Sequence, residues 1–414
     1  MTTTRASTGN MLKDLQGLAI INEDWASQAT WYIDPIIGND ENTGIDLPHA
    51  IKTWGELRRR MKAVGGHSTA GTYIYVLSDP SDAMVLDWGC HSNIDVHILG
   101  STTVARTGQM TSGLITRDAA TNQANELTDL GVSSWTSEIC FNSGKILRMS
   151  SGDALGQHAW VLKDLGSHKA RLSAFWDISN GEEIFSDDGE NYEMLSMPFV
   201  QNYYLVPTSG FFFLKYFNLG NENSTQYQIA PATATQGCQL TYCAIYNIDT
   251  SNNTIYLANC CLKTSLRLFT GTVEMFAGCM GSMDNNPFAF SDGEIETAGE
   301  LYCDAGVCFQ GVRENIINCG YLRSVDLMIF DSPDNGITVG TGGIIRITKL
   351  SGSGNIQHGL YISPSGTVFA NLANCTIDGN VEDIYFAGTD YSWATLQGLG
   401  YLKSATSYAS ISPV

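Results

Sequence analysis

The sequence predicts an all-β fold built as a solenoid of stacked coils, and three observations carry that prediction. First, one local context recurs in the C-terminal part: Ala258-Asn259-Cys260, Ala277-Gly278-Cys279, Ile317-Asn318-Cys319 and Ala373-Asn374-Cys375. The steps between these cysteines, 19, 40 and 56 residues, are close to one, two and three multiples of a coil of about 19 to 20 residues, which lies in the solenoid range. Second, short β-branched or aromatic runs such as Thr254-Ile255-Tyr256-Leu257, Gly343 to Ile347 and Thr367-Val368-Phe369 alternate with Gly, Asn, Asp and Ser turns. Third, the 414 residues include 42 Gly and 10 Pro with only 15% charged, a balance that favours an ordered, turn-rich β protein over a disordered or coiled-coil chain.

The N-terminal elements follow in order. Trp31-Tyr32-Ile33 starts a strand that runs into a turn made of Asp34-Pro35, Gly38-Asn39-Asp40 and Thr43-Gly44, residues that fix or relax the backbone and cap their own amides. After Pro48, Thr53 opens a helix; Thr53 and Glu56 have capping-box spacing, Leu57, Met61 and Val64 share a face, and Gly65-Gly66 stops it. A strand is predicted over Thr72 to Leu77, and Ile94, Val96 and Ile98 alternate as a second strand ahead of Gly100.

This order, with Tyr32-Ile33-Asp34-Pro35, Gly38-Asn39-Asp40, Pro48 and Lys52-Thr53, resembles the opening of the pectin-lyase-like, right-handed parallel β-helix proteins. Ile51 stands where that pattern has an aromatic, and His49-Ala50 are inserted. The resemblance covers residues 31 to 100. It implies a right-handed parallel β-helix with a short N-terminal arm and a capping helix; it identifies a scaffold, and a scaffold does not fix a function. The expected organisation is an arm over 1–30, the cap and first coils over 31–100, a parallel body over 101–388 and a terminal cap or subunit clasp over 389–414. Residues 101 to 235 are the least regular part of that body. In the arm, Met11, Leu12, Leu15, Leu18 and Ile20 form an apolar group, read either as a packed terminal segment or as a docking peptide.

Eleven cysteines raise the question of metal or disulfide chemistry. The coil period instead reads them as small buried rungs stacked from coil to coil, with Asn at the bends bonding to the next coil. Cys303 with Cys308 and Cys238 with Cys243 lack a nearby His to complete a zinc set, and adjacent Cys260-Cys261 point to opposite faces of a strand. No metal and no cofactor are expected on this reading; a disulfide within the group stays open.

Lys and Arg number 22 against 42 Asp and Glu, a net charge of -20, which opposes nonspecific binding to nucleic acid or anionic membranes. No run of about 18 apolar residues offers membrane insertion, and Met1 to Asn10 lack the apolar core of a secretory signal. Acidic groups at Glu182, Glu183, Asp187 and Asp188, at Asp292, Glu294 and Glu296, and at Asp326, Asp331 and Asp334 are the candidates for glycosidase or lyase chemistry. None has a decisive pairing, and solvated turns explain each. Arg313, Arg323 and Arg346 are the nearest basic partners. Trp160 and Trp176, beside a loop with His158, Lys163, His168 and Lys169, offer faces for sugar stacking; with Asp187 and Asp188 they are the glycan-binding candidates. The aromatics between Tyr192 and Tyr227 are expected to fill a core or a subunit contact.

A β-helix with a separate arm and no secretory signal resembles the virion proteins of tailed bacteriophages: tailspikes, fibres or capsid-decorating spikes. The resemblance implies synthesis in the host cytoplasm, a place in the virion, a homotrimer, attachment to other virion proteins through residues 1–30, and contact with host-surface polysaccharide. The alternatives are a polysaccharide-degrading lyase or glycoside hydrolase on the same scaffold, and a bacterial surface adhesin.

Overall fold

The computed structural model describes residues 29 to 397 except 64–71, 87–94, 112–125, 178–181, 185–188, 207–210, 230–236, 282–294, 387–392 and interruptions of one to four residues elsewhere. The predicted arm therefore lies almost wholly outside the described residues. The protein is all-β with extended parallel sheets. It divides into two compact units, residues 1–101 with 198–239, and residues 102–197 with 240–414.

The first unit begins as the sequence predicts. The strand Ala29–Ile33 leads into a turn in which the Asp34 carboxylate accepts from the amides of Ile36 (3.0 Å) and Ile37 (3.2 Å). Gly38 is required there, because a Cβ would lie 2.4 Å from the Asp34 carbonyl oxygen. Asp40 accepts from the amides of Lys52 and Thr53, both at 2.9 Å, and so ties the turn to the helix start. Thr53 Oγ1 caps the Glu56 amide at 3.1 Å, and the helix runs Trp54–Ala63 with Trp54, Leu57 and Met61 buried. Glu56 turns to Arg59 and Arg60 rather than back to the cap, and Arg60 donates to the carbonyls of Asp40, Asn42 and Thr43. Val64 lies outside the described residues.

Four strands, Ala29–Ile33, Thr72–Val76, Val96–Gly100 and Phe212–Lys215, then pair in parallel. Trp31, Ile74, Ile98 and Leu214 fall on the buried face, each such side chain stabilising the fold by about 1.5–3 kcal/mol relative to exposure. The chain leaves this sheet at Gly100 and returns at Pro198, whose Cδ is 3.0 Å from where a Gly100 Cβ would stand.

In the second unit, three columns of parallel strands repeat. One contains Thr254–Ala258, Thr272–Phe276 and Glu300–Cys303; the next Cys261–Leu262, Cys279–Gly281 and Val307–Gln310; the third Ile248–Thr250, Leu266–Leu268 and Ile295–Thr297. The corner between the first two columns is a left-handed residue, Tyr242 (φ 54°), Asn259 (φ 47°) or Ala277 (φ 50°). Further along, the corner vanishes, and Tyr321–Phe330 and Ile344–Asn355 run through both columns as single long strands. Trp393–Gln397, inside the expected terminal cap, pairs in parallel with Thr367–Asn371 and continues the column.

The expectation of a parallel body over 101–388 is corrected for residues 103–196, which pair antiparallel. Thr103–Gln109, Asn191–Ser196, Ile146–Met149 and His158–Ala159 make one sheet, and Glu126–Thr128, Lys169–Leu172 and Val161–Gly166 another. Its tightest hairpin turns at Ser167 and His168, both with positive φ, as a two-residue loop needs to match strand twist.

The cysteine stack also needs correction. Cys279 aligns with Cys261 and Cys308, then with Met328, whereas Cys375 aligns with Leu350, Leu327 and Val307, one position earlier. Cys260, next to Cys261, falls in the Cys375 register, so the two described Asn-Cys residues keep one register and Cys279, which follows a glycine, stands one step off. Asn259 does stand at a bend, but its Nδ2 donates to the His158 carbonyl of the insert at 2.9 Å instead of to another coil. The eight cysteines whose side chains are described are buried and free.

Candidate functional site

Of the four glycan-binding candidates, Trp160 alone has a described side chain. Trp160 has no exposed surface, and its Nε1 donates to the Asn259 carbonyl at 3.1 Å; the indole is a bolt between insert and corner, which corrects its reading as a sugar platform. The backbone of Trp176 pairs with Glu183 in a two-stranded sheet. The side chain of Trp176, and Asp187 and Asp188, lie outside the described residues. Of the third acidic group, Asp331 is engaged: its Oδ2 accepts from Lys163 (2.8 Å), Arg171 (2.7 Å) and Gln310 (2.8 Å), and Arg171 also lies 4.6 Å over the Phe330 ring. Burial alone would raise the Asp331 carboxyl, but the Gln310 and Lys163 hydrogen bonds and the Arg171 charge outweigh it and hold it below its ordinary value.

The outward face of the first column in the second unit has the chemistry that Trp160 lacks. Alternation along each strand sends Ile255, Val273, Leu301, Leu322 and Ile345 inward and leaves Tyr256, Glu274, Tyr302, Arg323 and Arg346 in register outward. Tyr256 is 36% exposed, Glu274 and Tyr302 are half-buried, and both arginines are exposed. A second row two residues earlier carries Glu300, Tyr321 and Ile344; Tyr302 donates to Glu300 at 3.0 Å and meets the Tyr321 ring edge-on at 5.9 Å. Neighbouring strands stand roughly 4.8 Å apart, so Arg323 and Arg346 stand side by side in register, and guanidinium groups are the kind that grip carboxylate or sulfate in bidentate fashion. The sequence named both arginines but could not align them, since the two strands share no motif.

Glu274 adds a titrating group to the face. Burial first, and then the Asp304 carboxylate, raise its carboxyl above the ordinary value. Asp304 donates its amide to the Met275 carbonyl at 2.9 Å, which sets it diagonally across from Glu274. Two carboxyl groups on neighbouring strands, Glu274 raised and facing Asp304, are the raw material of acid–base chemistry on a glycosidic bond.

A second aromatic array, in the first unit, is structural in character. Tyr73, His97 and Phe213 stack at 4.6 and 4.5 Å with planes 8° and 6° apart, and Tyr32 stacks on Tyr75 at 5.1 Å. Ring faces turned towards each other along a ladder stabilise register and leave only edges outward, so the inner rings offer no face to a sugar.

Three buried thiols, Cys140, Cys261 and Cys279, are the described donors close enough together to hold a metal ion. No described helix is long and apolar enough to cross a membrane. Compared with family models, with curated proteins and with solved structures, the chain matches none of them.

Proposed function

We propose that the chain is a right-handed parallel β-helix of the pectin-lyase-like kind. In this reading it is a bacteriophage virion protein, a tailspike, fibre or capsid-decorating spike, that docks through residues 1–30 and meets host-surface glycan with the Tyr256–Arg346 face. The observation that carries this reading is the register of that face: two tyrosines, one carboxylate and an arginine pair stand in one row across five strands. A periodic polar-aromatic surface suits a periodic polymer, and the arginine pair selects one bearing acidic sugars despite the net charge of -20. Assembly as a homotrimer accompanies the proposal.

The test has two readouts. Light scattering on the full chain and on a chain lacking residues 1–30 is expected to give a trimer, with the arm dispensable for trimerisation but needed for capture by virion proteins. Binding to acidic and neutral polysaccharides is expected to favour the acidic class and to fall at least tenfold in Arg323→Ala/Arg346→Ala. A monomer, or binding unchanged by the double substitution, would refute the proposal.

The Glu274–Asp304 pair favours a second reading, that the same face cuts the polymer it binds. Shortening of an acidic polysaccharide by the native protein, abolished in Glu274→Gln with binding retained, is the expected signature. Cleavage that survives the substitution would exclude this pair.

A further inference from the structure

The antiparallel insert covers the outward face of the second strand column, and at that seam a donor set gathers that no part of the proposed function uses. Cys261 and Cys279 occupy equivalent positions on adjacent strands; because the residues between columns alternate, their side chains point away from the Leu262 and Met280 core row. Cys140, on the short Cys140–Ser143 helix of the insert, comes down on them from above. Its Sγ lies 3.1 Å from that of Cys261 and 3.9 Å from that of Cys279, and all three sulfurs fall within 4.8 Å of one another. Phe141 seals one side: a Cβ on Gly281 would lie 2.6 Å from its ring, so only glycine lets the insert approach this closely. Lys263, two residues after Cys261 and only 6% exposed, supplies a buried cation whose charge is felt by Cys261 and Cys140.

We propose that Cys140, Cys261 and Cys279 form a three-thiolate site for one soft metal ion of the class typified by Cu(I). Three sulfurs each about 2.3 Å from a central ion lie roughly 4 Å from one another; the Cys140–Cys279 pair matches this at 3.9 Å, and the Cys140–Cys261 pair, at 3.1 Å, reaches it by opening about 1 Å. Thiolate donors select soft ions, and a trigonal set with no fourth described ligand suits a cation content with three. The Cys261 thiol donates to the Cys140 sulfur at 3.1 Å, so the insert and the strand already meet sulfur to sulfur. Binding Cu(I) displaces the protons that the three thiols carry, and the ammonium of Lys263 offsets part of the anionic charge left on the cluster. Because Cys140 belongs to the insert and the other two to the parallel strands, the ion would clasp the two together. This proposal is independent of the glycan reading.

The test is anaerobic titration of the reduced full chain with Cu(I) against a chromogenic copper chelator, with Zn(II) run in parallel. One Cu(I) retained per chain is expected, with retention falling at least tenfold in Cys261→Ser and in Cys279→Ser and unchanged in Cys303→Ser, which alters a buried cysteine of another column. No retained copper, equal loss in Cys303→Ser, or tighter retention of Zn(II) would overturn the proposal. X-ray absorption on copper-loaded native protein needs no variant to fold: three sulfur neighbours at about 2.3 Å are expected, and a shell of two sulfurs or of nitrogen and oxygen would refute the site.

Discussion

Single side chains hold the insert to the parallel strands, and Asp331 shows how. It gathers Lys163 and Arg171 from the insert and Gln310 from the neighbouring strand on one carboxylate oxygen. Its folded pKa is depressed, so its contribution is complete above the ordinary carboxylate value and is lost as pH falls through the lower, folded one. Acid unfolding followed by tryptophan emission is expected to show a step below about pH 4 that Asp331→Asn lacks; identical acid profiles would remove Asp331 from the anchor. Asn259 makes a second case, since it combines a left-handed backbone with the bond to His158. Asn259→Gly keeps the first and loses the second, at about 1 kcal/mol, whereas Asn259→Ala loses both, adding about 1–2 kcal/mol for the forced left-handed angle. Denaturation midpoints that rank alanine equal to glycine would show that the corner is not strained.

Local chemistry governs individual elements, and this decides which of them the sequence announces. The opening is legible because most of its signals are near neighbours: the Thr53 cap, the Asp34 turn and the alternation of Thr72–Val76 act within a few residues, and the Asp40 tie to Thr53 spans only 13. Thr53→Ala is accordingly expected to cost about 1 kcal/mol by thermal melting, with the sheet strands unchanged. The antiparallel insert is hidden because its hairpin turns on Ser167-His168, which carry no Asn-Gly or Asp-Gly signature. The cysteine register is misread for a related reason. A left-handed corner before Cys260 and another before Gly278 place residues with the same neighbours at different steps past the bend. The thiol triangle could not be read at all: its partners Cys140 and Cys261 stand 121 residues apart, and only the packing of the insert brings them together. Trp160 fails as a candidate because an indole beside basic residues looks the same in sequence whether it is a platform or a bolt.

For the molecule as a whole, charge sets how any partner is met. With a net charge of -20, the protein repels polyanions at long range, while the arginine pair attracts them at contact. Raising salt from 0.05 to 0.15 M, which shortens the screening length to about 8 Å, is therefore expected to change affinity for an acidic polysaccharide far less than it would for a basic protein. A steep salt dependence would place the binding charge elsewhere. Stability is also divided, since each strand pairs only with its neighbours in a column, and local opening need not spread.

The touching ends of the chain at Gly100 and Pro198 have a consequence for ancestry and engineering. A segment that departs and rejoins a sheet at adjacent points can be gained, lost or exchanged like a cassette without re-threading the strands around it. The 102–197 cassette would carry its own hairpins and its own cysteine wherever it went, but it would fit only a host whose strands offered a glycine at position 281 and thiols at 261 and 279 to receive it.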